Sequence, residues 1–136
     1  MWQYSTIVAL LEDREMAEDT ILIIDDDIVS QRSLSITLRS RGYVTKIISS
    51  SPTAIKIVQA ELIDVVVLDI NMPGWMGMEI LKEIHISKPK LPVIITSAFT
   101  TEELMIEAME RGAYSFMRKP VNTNFLNDLI EEAVGM

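Results

Sequence analysis

Four aspartates lie at the ends of apolar runs. Their carboxylates and their spacing make them the strongest candidates in the chain for a site that binds a cation. Asp25, Asp26 and Asp27 end one run, and Asp69 ends another. If the two runs meet at a common edge, carboxylates about 4 Å apart repel by about 4 kcal/mol at an effective dielectric of ~20. Such a cluster either binds protons or holds a cation. Oxygen ligands with retained waters suit Mg²⁺, so the pattern predicts a magnesium site.

Ser97 and Lys119 follow two further apolar runs and add groups that phosphoryl transfer needs. A metal ion and a lysine neutralise the oxygens of a transferring phosphoryl group while a carboxylate attacks in line. Carboxylates that become aspartyl-phosphates are a known form of covalent catalysis. Each piece alone has an ordinary explanation, because aspartates cap helices and a Lys-Pro pair is a common turn. Their joint occurrence at strand ends favours a phosphoryl-transfer site.

The segments that must position these side chains alternate between apolar runs and amphipathic stretches. Continuous apolar runs at 21–24 and 65–68 predict buried strands, and further strands are predicted at 43–48, 91–96 and 113–117. Apolar spacing and terminal signals predict helices at 28–41, 51–60, around 78–84, 100–111 and 122–133. The alternation predicts one doubly wound α/β domain with a parallel sheet. Ligands bind beyond the carboxyl ends of strands in such a sheet, which is where the candidate residues fall.

Helix ends and faces are predicted from local signals. Thr100 and Glu103 have the spacing of a capping box, and Asn122 is predicted to cap the last helix. Gly42 and Gly112 are predicted to end the helices that precede them. In the first helix the apolar residues at helical spacing are Ile28, Leu34 and Leu38, and Ile36 lies beside them.

Composition and charge narrow the possible partners. The 136 residues fit one domain. Twenty acidic and twelve basic residues give a net charge of −8, which argues against direct binding to nucleic acid. Without cysteine and with a single histidine, any bound metal should be a hard cation held by oxygens. No apolar stretch approaches the roughly 18 residues of a membrane span, and the expected location is the cytoplasm.

The N-terminal residues differ from the rest, and they are predicted to form a loose extension at 1–19 ahead of a domain at 20–136. Apolar residues without a clean period occupy 1–11, and a mostly acidic run at 12–19 separates them from the first strand. The alternative is a short helix that packs on the domain or on a partner.

Four segments, at 21–27, 65–74, 91–98 and 112–120, together resemble the receiver domains of two-component response regulators. The resemblance covers residues 20 to about 134 and implies a flavodoxin-like (βα)5 fold with strand order 2-1-3-4-5. It also implies that Asp69 accepts a phosphoryl group from a histidine kinase or phosphotransfer protein. Asp26, Asp69 and the backbone carbonyl of Asn71 are then the direct Mg²⁺ ligands, and Asp25 reaches the metal through water.

The resemblance further implies a switch. Ser97 matches the hydroxyl that bonds the phosphoryl group after transfer, and Lys119 matches the lysine that pairs with it. Phe116 matches the aromatic residue that turns inward, although the family often has tyrosine there. The bond between Lys119 and Pro120 is expected to be cis. Signalling would use the face of the fourth helix, fifth strand and fifth helix, through a downstream protein partner or effector domain, or through a homodimer.

The chain departs from the family pattern at two positions. Met76 stands where the family commonly has aspartate, and Phe99 is expected to shield an aspartyl-phosphate from water.

One alternative function is that of a receiver-like scaffold that signals without phosphorylation. The other is a phosphohydrolase of the haloacid-dehalogenase kind, whose Asp-x-Asp segment the pair Asp25 and Asp27 fits formally. The receiver interpretation predicts no enzymatic activity beyond the chemistry of Asp69 itself.

Overall fold

Five strands and five helices alternate along the part of the chain that the computed structural model describes, which is residues 19–49, 51–71 and 76–135, without the side chains of residues 51 and 76. The strands are β1 (Thr20–Ile24), β2 (Val44–Ile48), β3 (Val65–Asp69), β4 (Val93–Ser97) and β5 (Ser115–Arg118). The helices are α1 (Ile28–Ser40), α2 (Ser51–Ala60), α3 (Met76–Ser87), α4 (Glu102–Glu110) and α5 (Thr123–Val134). The expectations for residues 1–18 and for the loop at 72–75 lie outside the described residues.

The strands form one parallel sheet in the order β2-β1-β3-β4-β5. The predicted doubly wound fold with strand order 2-1-3-4-5 is therefore confirmed. The order of strands reverses between β1 and β3, which are neighbours with Ile24 opposite Leu68. The residues that follow this pair at the carboxyl edge are Asp25 and Asp69, so the topology itself brings two candidate carboxylates together.

Each face of the sheet has its own core because successive side chains of a strand point to opposite faces. Ile21 and Ile23 of β1 pack in one cluster with residues of α1 and α5, among them Leu38 and Ile130. The alternate residues of β1 pack in the other cluster with α2, α3 and Ala108 of α4. Burying one such aliphatic side chain contributes about 1.5–3 kcal/mol, so the two faces hold the sheet edge that carries the site in place.

Helix ends follow the predicted signals with one correction. Asn122 caps α5, and its side chain accepts a hydrogen bond from the amide of Phe125. Gly42 and Gly112 follow α1 and α4 with φ of 98° and 103°, a conformation that favours glycine. The predicted cap at Thr100 is wrong, because Thr101 caps α4 and accepts from the amide of Leu104 at 3.1 Å.

Strand bounds and one helix face also differ from expectation. β4 runs from Val93 to Ser97 rather than over 91–96, because pairing with β3 starts where Val93 lies opposite Val66. Ladder pairing also moves β5 to Ser115–Arg118. On α1, Leu34 and Leu38 are buried as predicted. Ile28 and Ile36 are exposed, so they lie outside the core-facing stripe.

None of the helices within the described ranges has the length and apolar character that crossing a membrane requires.

Candidate functional site

The site is built at the carboxyl edge of β1 and β3. The amide of Asp25 donates to the carbonyl of Ile48 in β2, and the Gln31 side chain donates to the carbonyl of Asp25 at 3.1 Å. Asp69 is the last residue of β3, and its Oδ1 accepts a hydrogen bond from the amide of Asn71 at 2.8 Å. The Asp25 and Asp69 residues are only 4% and 5% exposed, so their carboxylates are fixed by the fold rather than free in solvent.

Asp25, Asp26 and Asp69 form an acidic group that fits a divalent cation. One carboxylate oxygen from each can be chosen so that all three lie within 4.8 Å of one another. Asp26 is exposed while the other two are buried, so the group opens to solvent on one side. The donors are all oxygens, which are the ligands that hard cations such as Mg²⁺ prefer. The predicted metal ligation by these residues and by the carbonyl of Asn71 stays a prediction.

Lys119 bridges the two buried carboxylates. Its Nζ lies 2.9 Å from Oδ2 of Asp25 and 3.0 Å from Oδ2 of Asp69. Its backbone amide donates to the carbonyl of Ser97 at 2.8 Å, which ties the end of β5 to the end of β4. The predicted cis bond between Lys119 and Pro120 is confirmed. One ammonium group thus offsets part of the charge of two carboxylates.

The protonation of the site reflects burial and pairing together. Burial raises the pKa of Asp69 above its ordinary value, while the Asn71 amide and the Lys119 ammonium act in the opposite direction. Burial also lowers the pKa of Lys119, but the hydrogen bonds to Asp25 and Asp69 outweigh it and the pKa of Lys119 is raised. Lys119 therefore carries its charge throughout the physiological pH range.

The hydroxyl of Ser97 is held by residues that follow β3 and β4. It lies 2.8 Å from Oδ1 of Asn71 and 2.5 Å from the carbonyl oxygen of Phe99. The same Oδ1 accepts a hydrogen bond from the amide of Ala98 at 2.7 Å. Ser97 is fully buried, so its hydroxyl cannot satisfy itself with water. The Asn71 side chain therefore links the ends of β3 and β4.

The remaining predicted residues lie around this centre. Phe116 is half-buried and packs against the core on the side of α3 and α4. Phe99 is 74% exposed, and its backbone rather than its ring contacts the Ser97 hydroxyl. On α4, Met105, Ile106 and Met109 are between 40% and 50% exposed, which leaves an apolar surface next to β5. The side chain at position 76 lies outside the description.

The structure brings Asp25, Asp26, Asp69 and Lys119 together and joins Ser97 to them through Asn71. Two contacts were not predicted from the sequence: the Asn71 side chain on Ser97, and the Gln31 side chain on the carbonyl of Asp25. For the Gln31 contact, the only indication in the sequence is the position of Gln31 one turn into the predicted helix. Asp27 has a structural role, because its side chain caps α1 by accepting from the amide of Val29.

Comparison with known proteins points to a single family. The response regulator receiver domain profile matches residues 21–131. The transcriptional regulatory protein ZraR of Escherichia coli is 33% identical over 115 residues, which are 85% of this chain and 26% of that protein. The chain thus spans about a quarter of the length of the curated relatives it matches.

Solved structures agree with this match. A response regulator receiver domain protein from Clostridium thermocellum is 34% identical, with a TM-score of 0.80, covering 86% of this chain and 94% of that one. A CheY-like receiver domain protein from Methanospirillum hungatei is 26% identical, with a TM-score of 0.81 and the same coverages of 86% and 94%. Both the fold and the sequence of the described domain are therefore similar to those of receiver domains.

Proposed function

The chain belongs to the response regulator receiver domain family, and from that membership we propose that Asp69 accepts a phosphoryl group from a histidine kinase or phosphotransfer protein. The observation that carries the proposal is the placement of Lys119 Nζ within 3.0 Å of both Asp25 and Asp69, in a group of three carboxylates that fits a divalent cation. A buried carboxylate, a lysine and a cation site are the parts that phosphoryl transfer requires.

The transfer forms one bond and breaks another. An oxygen of Asp69 attacks the phosphorus of the donor's phosphohistidine, an O–P bond forms, and the N–P bond to the imidazole breaks. Lys119 already contacts Oδ2 of Asp69 and moves onto an oxygen of the bound phosphoryl group. Asp26, Asp69 and the carbonyl of Asn71 would hold Mg²⁺, with Asp25 reaching it through water. The bound ion would supply charge neutralisation at the phosphoryl oxygens.

Phosphorylation then changes the contacts of Ser97. Its hydroxyl leaves Asn71 and Phe99 and bonds a phosphoryl oxygen, and Phe116 turns inward toward the space vacated near β4. The readout is the surface of α4, β5 and α5, whose exposed Met105, Ile106 and Met109 suit an apolar partner or a second copy of the chain. The domain at 20–136 acts as a cytoplasmic signalling switch rather than a turnover enzyme, and its output passes through protein contacts.

Incubation with a small phosphodonor such as acetyl phosphate and Mg²⁺ tests this function. Intact mass spectrometry should show the addition of one phosphoryl group, and the Asp69→Asn variant should show none. Addition that persists in Asp69→Asn would overturn the assignment of the acceptor. Absence of any addition in the wild type would favour the scaffold that signals without phosphorylation.

A further inference from the structure

A groove opens at the amino edge of the sheet, opposite the acidic site. It has a volume of about 510 Å³, and the residues around it include Ile63, Asp64, Lys88, Pro89, Lys90 and Leu91. These residues belong to the connections that enter β3 and β4. We propose that this groove binds the apolar N-terminal segment of the same chain, residues 1–11, while the acidic run at 12–19 passes over the two lysines.

Apolar side chains are exposed at this edge. Leu62 is 90% exposed and Ile86 is 70% exposed. Each is next in the chain to a residue that lines the groove, Ile63 and Ser87 respectively. Single exposed apolar residues are ordinary on proteins, but apolar residues gathered around a concave surface mark a binding surface.

The segment joins the domain at Thr20, the first residue of β1. The amide of Thr20 donates to the Asp64 carboxylate at 2.7 Å, and the amide of Asp64 donates to the Thr20 carbonyl at 2.9 Å. Asp64 itself lines the groove. The chain therefore enters β1 beside the groove wall, and the eight residues 12–19 extend over about 28 Å at most. That length lets the apolar residues reach the groove without leaving the molecule.

The groove residues and the run at 12–19 carry opposite net charges. Lys88 and Lys90 are exposed, and neither ammonium group has an ion-pair partner in residues 19–49, 51–71 or 76–135. The run at 12–19 carries five carboxylates and one arginine. Asp64 also lines the groove and repels Asp19, so the two lysines favour an orientation with the carboxylates before Asp19 at the lysines and the apolar part of the segment beyond them.

Trp2 can report the binding because the chain has only one other tryptophan, Trp75. In the full chain carrying Trp75→Phe, the emission of Trp2 should be blue-shifted, and its acrylamide quenching should be several-fold weaker than in the urea-unfolded chain. Adding Lys88→Glu with Lys90→Glu should return both readings toward the unfolded values. Leu62→Ser with Ile86→Ser should do the same by removing apolar surface.

The matched control carries the same charge change at Lys56 and Lys82, which are exposed on α2 and α3. Lys56→Glu with Lys82→Glu should leave the Trp2 emission unchanged, and far-UV circular dichroism should show all variants folded. Solvent-like Trp2 emission before any lysine is changed would overturn the proposal. A blue shift that disappears on dilution would assign the groove to a second copy and overturn binding within one chain.

Discussion

The hydroxyl of Ser97 lies 2.8 Å from the side-chain oxygen of Asn71, and that one oxygen also accepts the amide of Ala98. The Ser97 hydroxyl has a single proton, and its two acceptors are Oδ1 of Asn71 and the carbonyl oxygen of Phe99 at 2.5 Å, so the contact with Asn71 supplies part of what holds Ser97 in the resting arrangement. In the proposed switch, this hydrogen bond must break before Ser97 can reach the phosphate. We therefore expect Asn71 to act as a positioning residue in that switch.

The variant Asn71→Ala should raise the affinity for Mg²⁺-beryllofluoride, a phosphoryl mimic. A hydrogen bond of this kind contributes about 1 kcal/mol, so its loss from the resting state should lower the Kd about fivefold. Isothermal titration calorimetry measures the change. A double-mutant cycle with Ser97→Ala is the control, because the effect should shrink when the hydroxyl is absent. An unchanged or weaker affinity in Asn71→Ala contradicts the positioning role.

The variant Lys119→Met should lower the free energy of unfolding in the absence of Mg²⁺. It leaves the buried carboxylates of Asp25 and Asp69 without their counter-charge, and breaking a buried ion pair costs about 3–5 kcal/mol. The loss should fall at the low end because the Lys119 side chain is 18% exposed. Urea unfolding with EDTA measures it, and added Mg²⁺ should recover part of the loss.

Lys56→Met is the matched control for this experiment, because Lys56 is exposed on α2 and substitutions at such positions change stability by about 0.5 kcal/mol or less. Equal losses in the two variants would mean that Lys119 does not stabilise the acidic site.

The variant Asp69→Asn should be more stable than the wild type at pH 7 without Mg²⁺. Burial raises the pKa of Asp69 above the ordinary 3.8, so the folded state binds this proton more tightly than the unfolded chain does. The contribution of the protonated carboxyl is complete below pH 3.8 and is lost as the pH rises through the folded pKa. Thermal unfolding in EDTA should show the advantage of Asp69→Asn at pH 7 and its disappearance near pH 3. A variant that is less stable than the wild type at pH 7 would mean that the bond to Lys119 outweighs burial.

The variant Phe99→Glu should speed the loss of the phosphoryl group, because it replaces an apolar ring two residues after Ser97 with a carboxylate that can draw water toward the phosphate. The backbone carbonyl of Phe99 lies 2.5 Å from the Ser97 hydroxyl, so the residue adjoins the site although its ring is 74% exposed. Decay of the phosphoprotein after removal of donor is the measurement. Phe99→Leu should keep the slower rate, and equal rates in Phe99→Glu and the wild type would show that the ring does not shield the phosphate.

The sequence predicts the fold because each buried strand is a short apolar run, and parallel pairing then places the residues after β1 and β3 at one edge. Asp25, Asp69 and Lys119 are predictable for that reason. Details that depend on side chains from separate loops are not predictable in this way. Thr100 and Thr101 have nearly the same local signals, and only the geometry of the α4 entrance selects Thr101 as the cap.

The contact between Asn71 and Ser97 joins residues 26 positions apart, and no periodicity encodes it. The exposure of Ile28 and Ile36 has a similar origin, since the direction in which α1 packs on the sheet decides which part of an apolar stripe is covered. The groove at the opposite edge is also a tertiary property, because it lies between two connections that are far apart in the chain.

Thermal melting with Mg²⁺ and beryllofluoride tests directly whether Asp69 is the phosphoacceptor. A ligand that binds only the folded state at a hundred times its Kd contributes about 2.7 kcal/mol to the free energy of unfolding. We expect a clear rise in Tm for the wild type and none for Asp69→Ala. No rise in the wild type, or an equal rise in both proteins, would contradict the assignment of Asp69 as the phosphoacceptor.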